Sequence, residues 1–196
     1  MAHYTGVNHL AMATGDMEAT IRFWRDLLGM RLVAATGRAG YRHYFFEISQ
    51  DDMIAFFEWP GVVPGPEKDH GAPVLGPYTF DHVSIGVGSD DDLWELKARL
   101  DAASIWVSEV VDHGFIHSIY SFDPNNIAIE FSAAVPDFDV RANPIMTDVD
   151  PSAITLEGAE PVPGVWPKPG ALPPRLERVV YEGMGSELAA GIRRKG

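Results

Sequence analysis

An α+β fold made of two tandem βαβββ modules is predicted by three features of the chain. A strand, a helix and three further strands are written twice in the same order, over 5–59 and over 80–133. The first strand of each copy carries a histidine, His9 and His82. The last strand of each copy ends in a glutamate, Glu58 and Glu130, at separations of 49 and 48 residues. Between them Gly40-Tyr41-Arg42-His43 is echoed by Gly114-Phe115-Ile116-His117.

Each element follows from local pattern. Val7 to Ala13 is strand-like, and Thr14-Gly15-Asp16 breaks it and supplies an N-cap. Apolar residues at 17, 21, 24, 27 and 28 have helical spacing, and Gly29 closes that helix as a C′ residue. Arg31 to Thr36, Tyr41 to Ile48 and Met53 to Trp59 are strands separated by Gly37–Gly40 and by Ser49-Gln50-Asp51-Asp52. In the second copy Phe80 to Val87 is a strand, and Ser89-Asp90-Asp91-Asp92 opens a helix carrying Leu93, Leu96, Ala98 and Leu100. Ile105 to Val111, Gly114 to Phe122 and Ile127 to Phe131 are read as strands, the last two joined by a turn at Asp123-Pro124-Asn125-Asn126.

Residues 60–79 form a linker with five prolines, long enough to be an ordered loop near the site. The extension 134–196 is different in kind. Nine prolines between 135 and 174 predict extended, irregular chain, followed by a final helix over Arg175–Arg194. Its Trp166, Leu172, Leu176 and Val179 are expected to pack against the sheet edge, the site mouth or a partner subunit.

Composition excludes several classes of function. The chain has 196 residues, 46% of them hydrophobic, enough for a real core. It has no cysteine, which rules out thiolate metal sites, cysteine nucleophiles and disulfides. A formal charge of −13 with short basic clusters argues against nucleic acid as a partner. Apolar runs fall short of the roughly 18–20 residues of a membrane span, and no secretory leader is expected, so a cytoplasmic location fits.

The chemistry follows from the repeat. Side chains alternate across a strand, so each histidine and glutamate can face one side while its neighbours face the other. If the two sheets join about a pseudo-twofold axis, His9, Glu58, His82 and Glu130 converge. Nitrogen and carboxylate donors without sulfur suit Fe(II), Mn(II), Ni(II), Co(II) or Zn(II). Glu130 stands among Ile127, Ala128, Ile129 and Phe131, where a charge is costly without a partner, and a metal supplies one.

Over about residues 5–133 the chain resembles the vicinal oxygen chelate superfamily, which includes glyoxalase I, extradiol ring-cleaving dioxygenases and bleomycin-resistance proteins. The resemblance implies a mixed sheet cupped around a divalent metal. His9, Glu58, His82 and Glu130 match the four glyoxalase I ligand places; His9, His82 and Glu130 alone match the two-histidine, one-carboxylate set of the extradiol enzymes. The second copy also resembles the extradiol signature. It reads Val111-Asp112-His113, five residues, Ile119-Tyr120, two residues, Asp123-Pro124-Asn125-Asn126, three residues, Glu130, departing at Asn126, where Gly or Pro is expected. Asn tolerates a left-handed turn, which makes the departure mild.

By that resemblance His113 is an acid–base group and Tyr120 binds a substrate oxygen. Seven residues separate them, so one flat strand would set them on opposite faces; they converge if His113 precedes the strand or a bulge intervenes. His117 competes for the role and otherwise is a sheet-face residue like His43. Glu58 opposes the dioxygenase reading. A fourth protein ligand leaves two octahedral positions where a bidentate substrate and O2 need three, so Glu58 either stands off the metal or serves as the displaceable base of an isomerase.

The expected function is thus a mononuclear Fe(II)-type dioxygenase acting on a small oxygenated, catechol-like substrate. The alternatives are a glyoxalase I-like isomerase or lyase and a binding or resistance protein without turnover. One chain holds both modules, so a monomer can complete a site, and a homodimer is equally compatible.

Overall fold

The computed structural model describes residues 7–68, 70–73, 80–140, 142–145, 147, 149, 153–162, 168, 170–182 and 188. Two sheets of identical topology emerge. The first contains β1 (His9–Thr14), β2 (Arg31–Arg38), β3 (Tyr41–Glu47) and β4 (Met53–Glu58) in the order β1-β4-β3-β2; the second contains β5 (Val83–Val87), β6 (Val111–Asp112), β7 (Ile116–Phe122) and β8 (Ala128–Ala134) in the order β5-β8-β7-β6. In each, the first strand runs parallel to the last and the remaining pairs are antiparallel. The helix between the first two strands is the crossover a parallel pair requires.

The helix starts obey the sequence. Asp16 Oδ1 accepts from Ala19 N at 2.9 Å and caps α1 (Met17–Ile21), which continues as a π-helical stretch over Arg22–Leu27. Gly29 ends it at φ 80°, the left-handed conformation glycine adopts without strain. Ser89 Oγ accepts from Asp92 N at 3.2 Å and caps α2 (Asp90–Ala102), whose first turn carries Asp90, Asp91 and Asp92 against the positive end of the helix dipole.

Alternation then sorts the faces. In the first sheet Ile54 and Phe56 point to the helix side, where Phe56 meets Trp24 at 5.6 Å between ring centroids. In the second, Ile85, Ile119, Ile129 and Phe131 lie in the same buried cluster as Leu93 and Leu100 of α2. The cluster is continuous through both modules. A buried polar button also joins them. Asp123 Oδ2 accepts from Trp24 Nε1 at 3.3 Å and from Asn125 Nδ2 at 2.9 Å, Asp123 Oδ1 accepts from Asn125 N and Ile127 N, and Asn125 Nδ2 reaches Thr20 Oγ1. The Asp-Pro-Asn-Asn turn therefore ties the second module to the first helix.

Two expectations are corrected. Residues 105–111 do not form a regular strand; they contribute an isolated bridge, Val107 to Ser121, before the two-residue β6. Serine hydroxyls replace rungs of the ladder: Tyr120 N donates to Ser108 Oγ at 2.9 Å and Ser121 Oγ donates to Trp106 O at 2.7 Å. In the extension, the expected helix does not begin at Arg175: a 3-10 turn covers Arg175–Glu177, Arg178 is extended at φ −79° and ψ 110°, residues 179–182 are not helical, and Leu188 is helical. The β-branched and aromatic run Val179-Val180-Tyr181 favours extension over helix; most of the expected helix beyond it lies outside the described residues. Leu172, Leu176 and Val179 are 69–102% exposed in the single chain, and Trp166 lies outside the described residues. Residues 137–183 form a compact unit distinct from 1–136 with 184–196.

Candidate functional site

The ladders decide which residues are repeat equivalents. Ser84, two residues after His82, pairs with Glu130; Ala11, two residues after His9, pairs with Ala55. Ala55, not Glu58, is therefore the counterpart of Glu130. Glu58 pairs with Thr14, five residues beyond His9, and so points to the other face of the sheet. There it serves the fold: its Oε1 accepts from Met17 N at 2.8 Å at the start of α1, and its Oε2 lies 3.0 Å from Arg42 Nη1. The four-ligand arrangement expected from spacing is thus not assembled around Glu58. The near-equal separations of 49 and 48 residues conceal a change of face. The Gly40–His43 echo fails in the same way: His43 pairs with Phe57 on the open face, whereas His117 pairs with Ala133 on the helix side and contacts Asp90 at 3.0 Å.

On the open face of the second sheet the expected residues do meet. Tyr120 and Glu130 are ladder partners on neighbouring strands. His82 Nε2 lies 3.0 Å from Glu130 Oε2, and Tyr120 Oη donates to Glu130 Oε1 at 3.3 Å. His113 Nε2 is 2.7 Å from Tyr120 Oη. With the phenol proton given to Glu130, His113 donates its Nε2–H to the phenol oxygen, making one chain of hydrogen bonds from His113 through Tyr120 to Glu130. His113 reaches Tyr120 because it precedes β7, in a turn where Gly114 has φ 84° and its N–H donates to Asp112 Oδ1 at 2.6 Å. Asn126 takes φ 60°, the left-handed conformation its place in the turn demands.

Electrostatics sharpen the roles. Burial pushes the Tyr120 phenol up to about 12, helped by the Glu130 charge and hydrogen bond and by Asp81, so it remains an O–H donor. Burial also pushes Glu130 up, but Ser118, Ser84, His82 and Tyr120 outweigh it and hold the carboxyl below its ordinary value. Ser118 Oγ is buried without a hydrogen-bond partner, so it acts on Glu130 as a nearby dipole and not through a formed bond. Glu130 is thus a carboxylate 5% exposed.

Three contributors were not singled out from sequence. Asp81 Oδ1 lies 2.6 Å from His82 Nδ1 and also accepts from Gly71 N at 3.0 Å, while Oδ2 pairs with Lys68. Lys68, His82 and the Gly71 amide hold the Asp81 carboxyl well below the usual range. A carboxylate on Nδ1 fixes the tautomer and leaves Nε2 as the free donor atom. Asn8 does the same for His9, its Oδ1 lying 2.9 Å from His9 Nδ1. The signal was present in the sequence: Asn8-His9 and Asp81-His82 put a short polar side chain immediately before each histidine. His70, from the linker, is the third. Its Nε2 is 3.1 Å from Ile129 O, and its ring lies 4.5 Å from Tyr120 and 5.8 Å from His82. Burial pushes its pKa down against the opposing bond to Ile129. His70, His82, Trp106, Ser108, His113 and Tyr120 line a cavity of about 390 Å³.

The donor set fits a divalent cation in part. His82 Nε2 and Glu130 present a nitrogen and a buried carboxylate toward each other, with the histidine oriented from behind. His9 stands elsewhere, on the open face of the first sheet beside Phe45 and His43 at ring distances of 5.3 and 6.4 Å. Among the described residues no group of three histidine, aspartate or glutamate side chains is assembled to hold a metal. No helix among them is long and apolar enough to cross a membrane.

Comparison with known proteins agrees with this architecture. The family model described as Glyoxalase/Bleomycin resistance protein/Dioxygenase superfamily matches residues 6–131. A curated relative, glutathione transferase FosA of Serratia marcescens, is 26% identical over 129 residues, covering 63% of this chain and 77% of that protein. Among solved structures, a glyoxylase/bleomycin resistance protein/dioxygenase domain from Frankia sp. EAN1pec superposes with a TM-score of 0.56 at 22% identity, over 68% of this chain and all of that one. TnmS3, an antibiotic-binding protein from Streptomyces sp. CB03234, gives 0.51 at 15% identity, over 69% of this chain and 100% of its own. These structural likenesses are to the fold. With two βαβββ sheets of one topology and a family match over most of both, the chain belongs to the glyoxalase/bleomycin resistance protein/dioxygenase superfamily.

Proposed function

We propose that this protein is a mononuclear divalent-metal enzyme of extradiol-dioxygenase type, acting on a small, oxygenated aromatic substrate. The observation that carries the reading is the continuous chain His113–Tyr120–Glu130–His82, with contacts of 2.7, 3.3 and 3.0 Å, beside a cavity of about 390 Å³. His82 and Glu130 hold the ion, Fe(II) foremost, with Mn(II), Ni(II), Co(II) and Zn(II) as the other candidates. When bound, the ion supplies a Lewis-acid anchor for adjacent substrate oxygens and open positions for a co-substrate. The engagement of Glu58 with Met17 and Arg42 supports a site with three open positions over a glyoxalase I-like quartet.

The chain's own groups divide the remaining work. Tyr120 stays protonated and donates a hydrogen bond at the substrate oxygen nearest Glu130. His113, the acid–base group of this reading, is held by the Tyr120 oxygen and exchanges its proton with the substrate. His70 donates Nε2–H to Ile129 O, which leaves Nδ1 as an acceptor for a substrate hydroxyl in the same cavity. Asp81 keeps His82 in the Nε2-donor form.

His9 is the third ligand in this reading, because Asn8 prepares it as Asp81 prepares His82. It belongs to a different sheet face, so the site is completed when a second copy brings its first sheet to the His82–Glu130 face. The test is metal content after anaerobic Fe(II) loading, followed by O2 uptake across a catechol panel. One iron per chain in the wild type, none in His9→Ala or Glu130→Ala, and O2 consumption with a catechol are expected. A co-expressed mixture of His9→Ala and Glu130→Ala chains should regain one site per mixed pair. Full loading of His9→Ala would sink the inter-chain ligand, and metal without O2 uptake would sink the dioxygenase assignment.

A second reading is favoured by the curated relative named a glutathione transferase: metal-assisted addition of a thiol nucleophile to a small substrate. It predicts substrate consumption without O2. Metal-free protein that still binds small molecules would leave a binding or resistance role.

A further inference from the structure

We propose a second ligand site at the far end of the first sheet that takes a planar aromatic monoanion such as an aryl carboxylate. A cavity of about 380 Å³ opens there, lined by Arg38, Tyr41, Arg42, Glu58 and Trp59. It shares no lining residue with the cavity beside His82 and Tyr120.

Three features define what would fill it. The first is charge. The chain has 15 Lys and Arg against 28 Asp and Glu, so a cation without an acidic partner is unexpected. Among the described arginines of the two modules, Arg22, Arg25, Arg31, Arg42 and Arg99 each have a carboxylate partner. Arg38 instead lies over the Tyr41 ring, its guanidinium carbon 5.3 Å from the centroid. Arg38 and Arg42 against Glu58 leave the cavity one positive charge in excess, which matches a monoanion. Glu58 does not repel it strongly, because Met17 N and Arg42 already occupy its two oxygens.

The second feature is a flat apolar wall. Trp59 stacks on Phe57 at 4.8 Å with the planes 3° apart, and Phe57 stacks on His43 at 3.6 Å. The indole is held by this stack yet 42% exposed at the cavity. A rigid, partly solvated indole favours another planar ring. The third is access. Gly40 and Gly61 line the cavity with nothing within 4 Å of where their Cβ would be, so the approach is open. Guanidinium and carboxylate are geometrically matched for paired hydrogen bonds, and a carboxylate on a flat ring satisfies Arg38 and Trp59 together.

The bland account is that Arg38 and Tyr41 are a cross-strand pair closing the β2–β3 hairpin, as their register places them. Calorimetric titration of the full chain with 1-naphthoate and with 1-naphthamide separates the two. The site predicts saturable 1-naphthoate binding, at least tenfold weaker in Arg38→Gln and in Trp59→Leu, and at least tenfold weaker for the neutral amide. Binding in His82→Ala should match the wild type. Both site variants should melt within a few degrees of the wild type, so that loss of binding is not loss of fold. No binding, or binding unchanged in Arg38→Gln, overturns the proposal. So does binding lost in His82→Ala, which would assign the ligand to the other cavity.

Discussion

The two sheets share a topology but not a chemistry. On the open face of the second, His82, Ser84, Ser118, Tyr120, Glu130 and Ser132 form a polar surface around a buried carboxylate. The matching positions of the first carry His9, Ala11, His43, Phe45, Ala55 and Phe57. The first-strand histidine survives in both, His43 is added on the first, and the carboxylate and the phenol occur only on the second. His43, 8% exposed with Nε2 unpartnered and its pKa pushed down by burial and by His9, is an apolar filler more than a titrating group. The lesson is that duplication preserves the backbone frame while the two faces specialise. The second gathers a histidine, a phenol and a buried carboxylate. The first carries His9 and His43 beside an aromatic wall.

That contrast can be broken experimentally, beginning with the largest effect. Glu130→Ala should lower divalent-metal affinity more than about 100-fold and also lower the melting temperature, since Tyr120 and His82 lose a buried partner. Metal titration alongside thermal unfolding reads both, and retained affinity would remove Glu130 from the site. The reciprocal change, Ala55→Glu, puts a carboxylate at the same ladder position of the first sheet, where Ala55 is fully buried and no His82–Tyr120 pair receives it. It should destabilise by about 3–4 kcal/mol in denaturant unfolding. A neutral outcome would mean that the first face is as receptive to charge as the second.

Asp123→Ala tests the button between the modules. Trp24 Nε1, Asn125 N and Ile127 N would lose their acceptor inside the protein, at a cost of about 3 kcal/mol. A cost below ~1 kcal/mol would show that the modules hold together by apolar packing alone. Glu58→Gln should have the smallest effect. Metal affinity should stay within about twofold, and stability should fall by about 1 kcal/mol through the weakened contacts to Arg42 and the helix start. A large loss of metal would return Glu58 to the ligand set.

Much of this was legible in the chain. Caps at Asp16 and Ser89, the Gly29 stop and strand alternation are local consequences of short polar side chains, glycine freedom and side-chain period, so they can be read without the fold. His82, Glu130, His113 and Tyr120 were recognisable because they lie within one hairpin and its parallel neighbour, where spacing translates almost directly into space. The face that Glu58 takes was not legible because spacing does not carry register. A separation of 49 residues rather than 46 moves a side chain by three ladder positions, and an odd shift changes its face. His70 was missed because a linker histidine has no periodicity to announce it, and Asp81 because its role depends on the ring nitrogen beside it.

The sequence by itself determined the repeated βαβββ frame, the absence of a cysteine thiol from the chain and the identity of most groups that meet on the second sheet. Tertiary structure alone decided the rest: that Glu58 serves a helix and an arginine, that a linker histidine joins Tyr120, and that His9 is held on a separate face from His82 and Glu130. The reason is physical. Local pattern is set by neighbours along the chain, whereas pairing register and the approach of one sheet to another depend on how buried surfaces fit, and a single strand's sequence does not encode that fit.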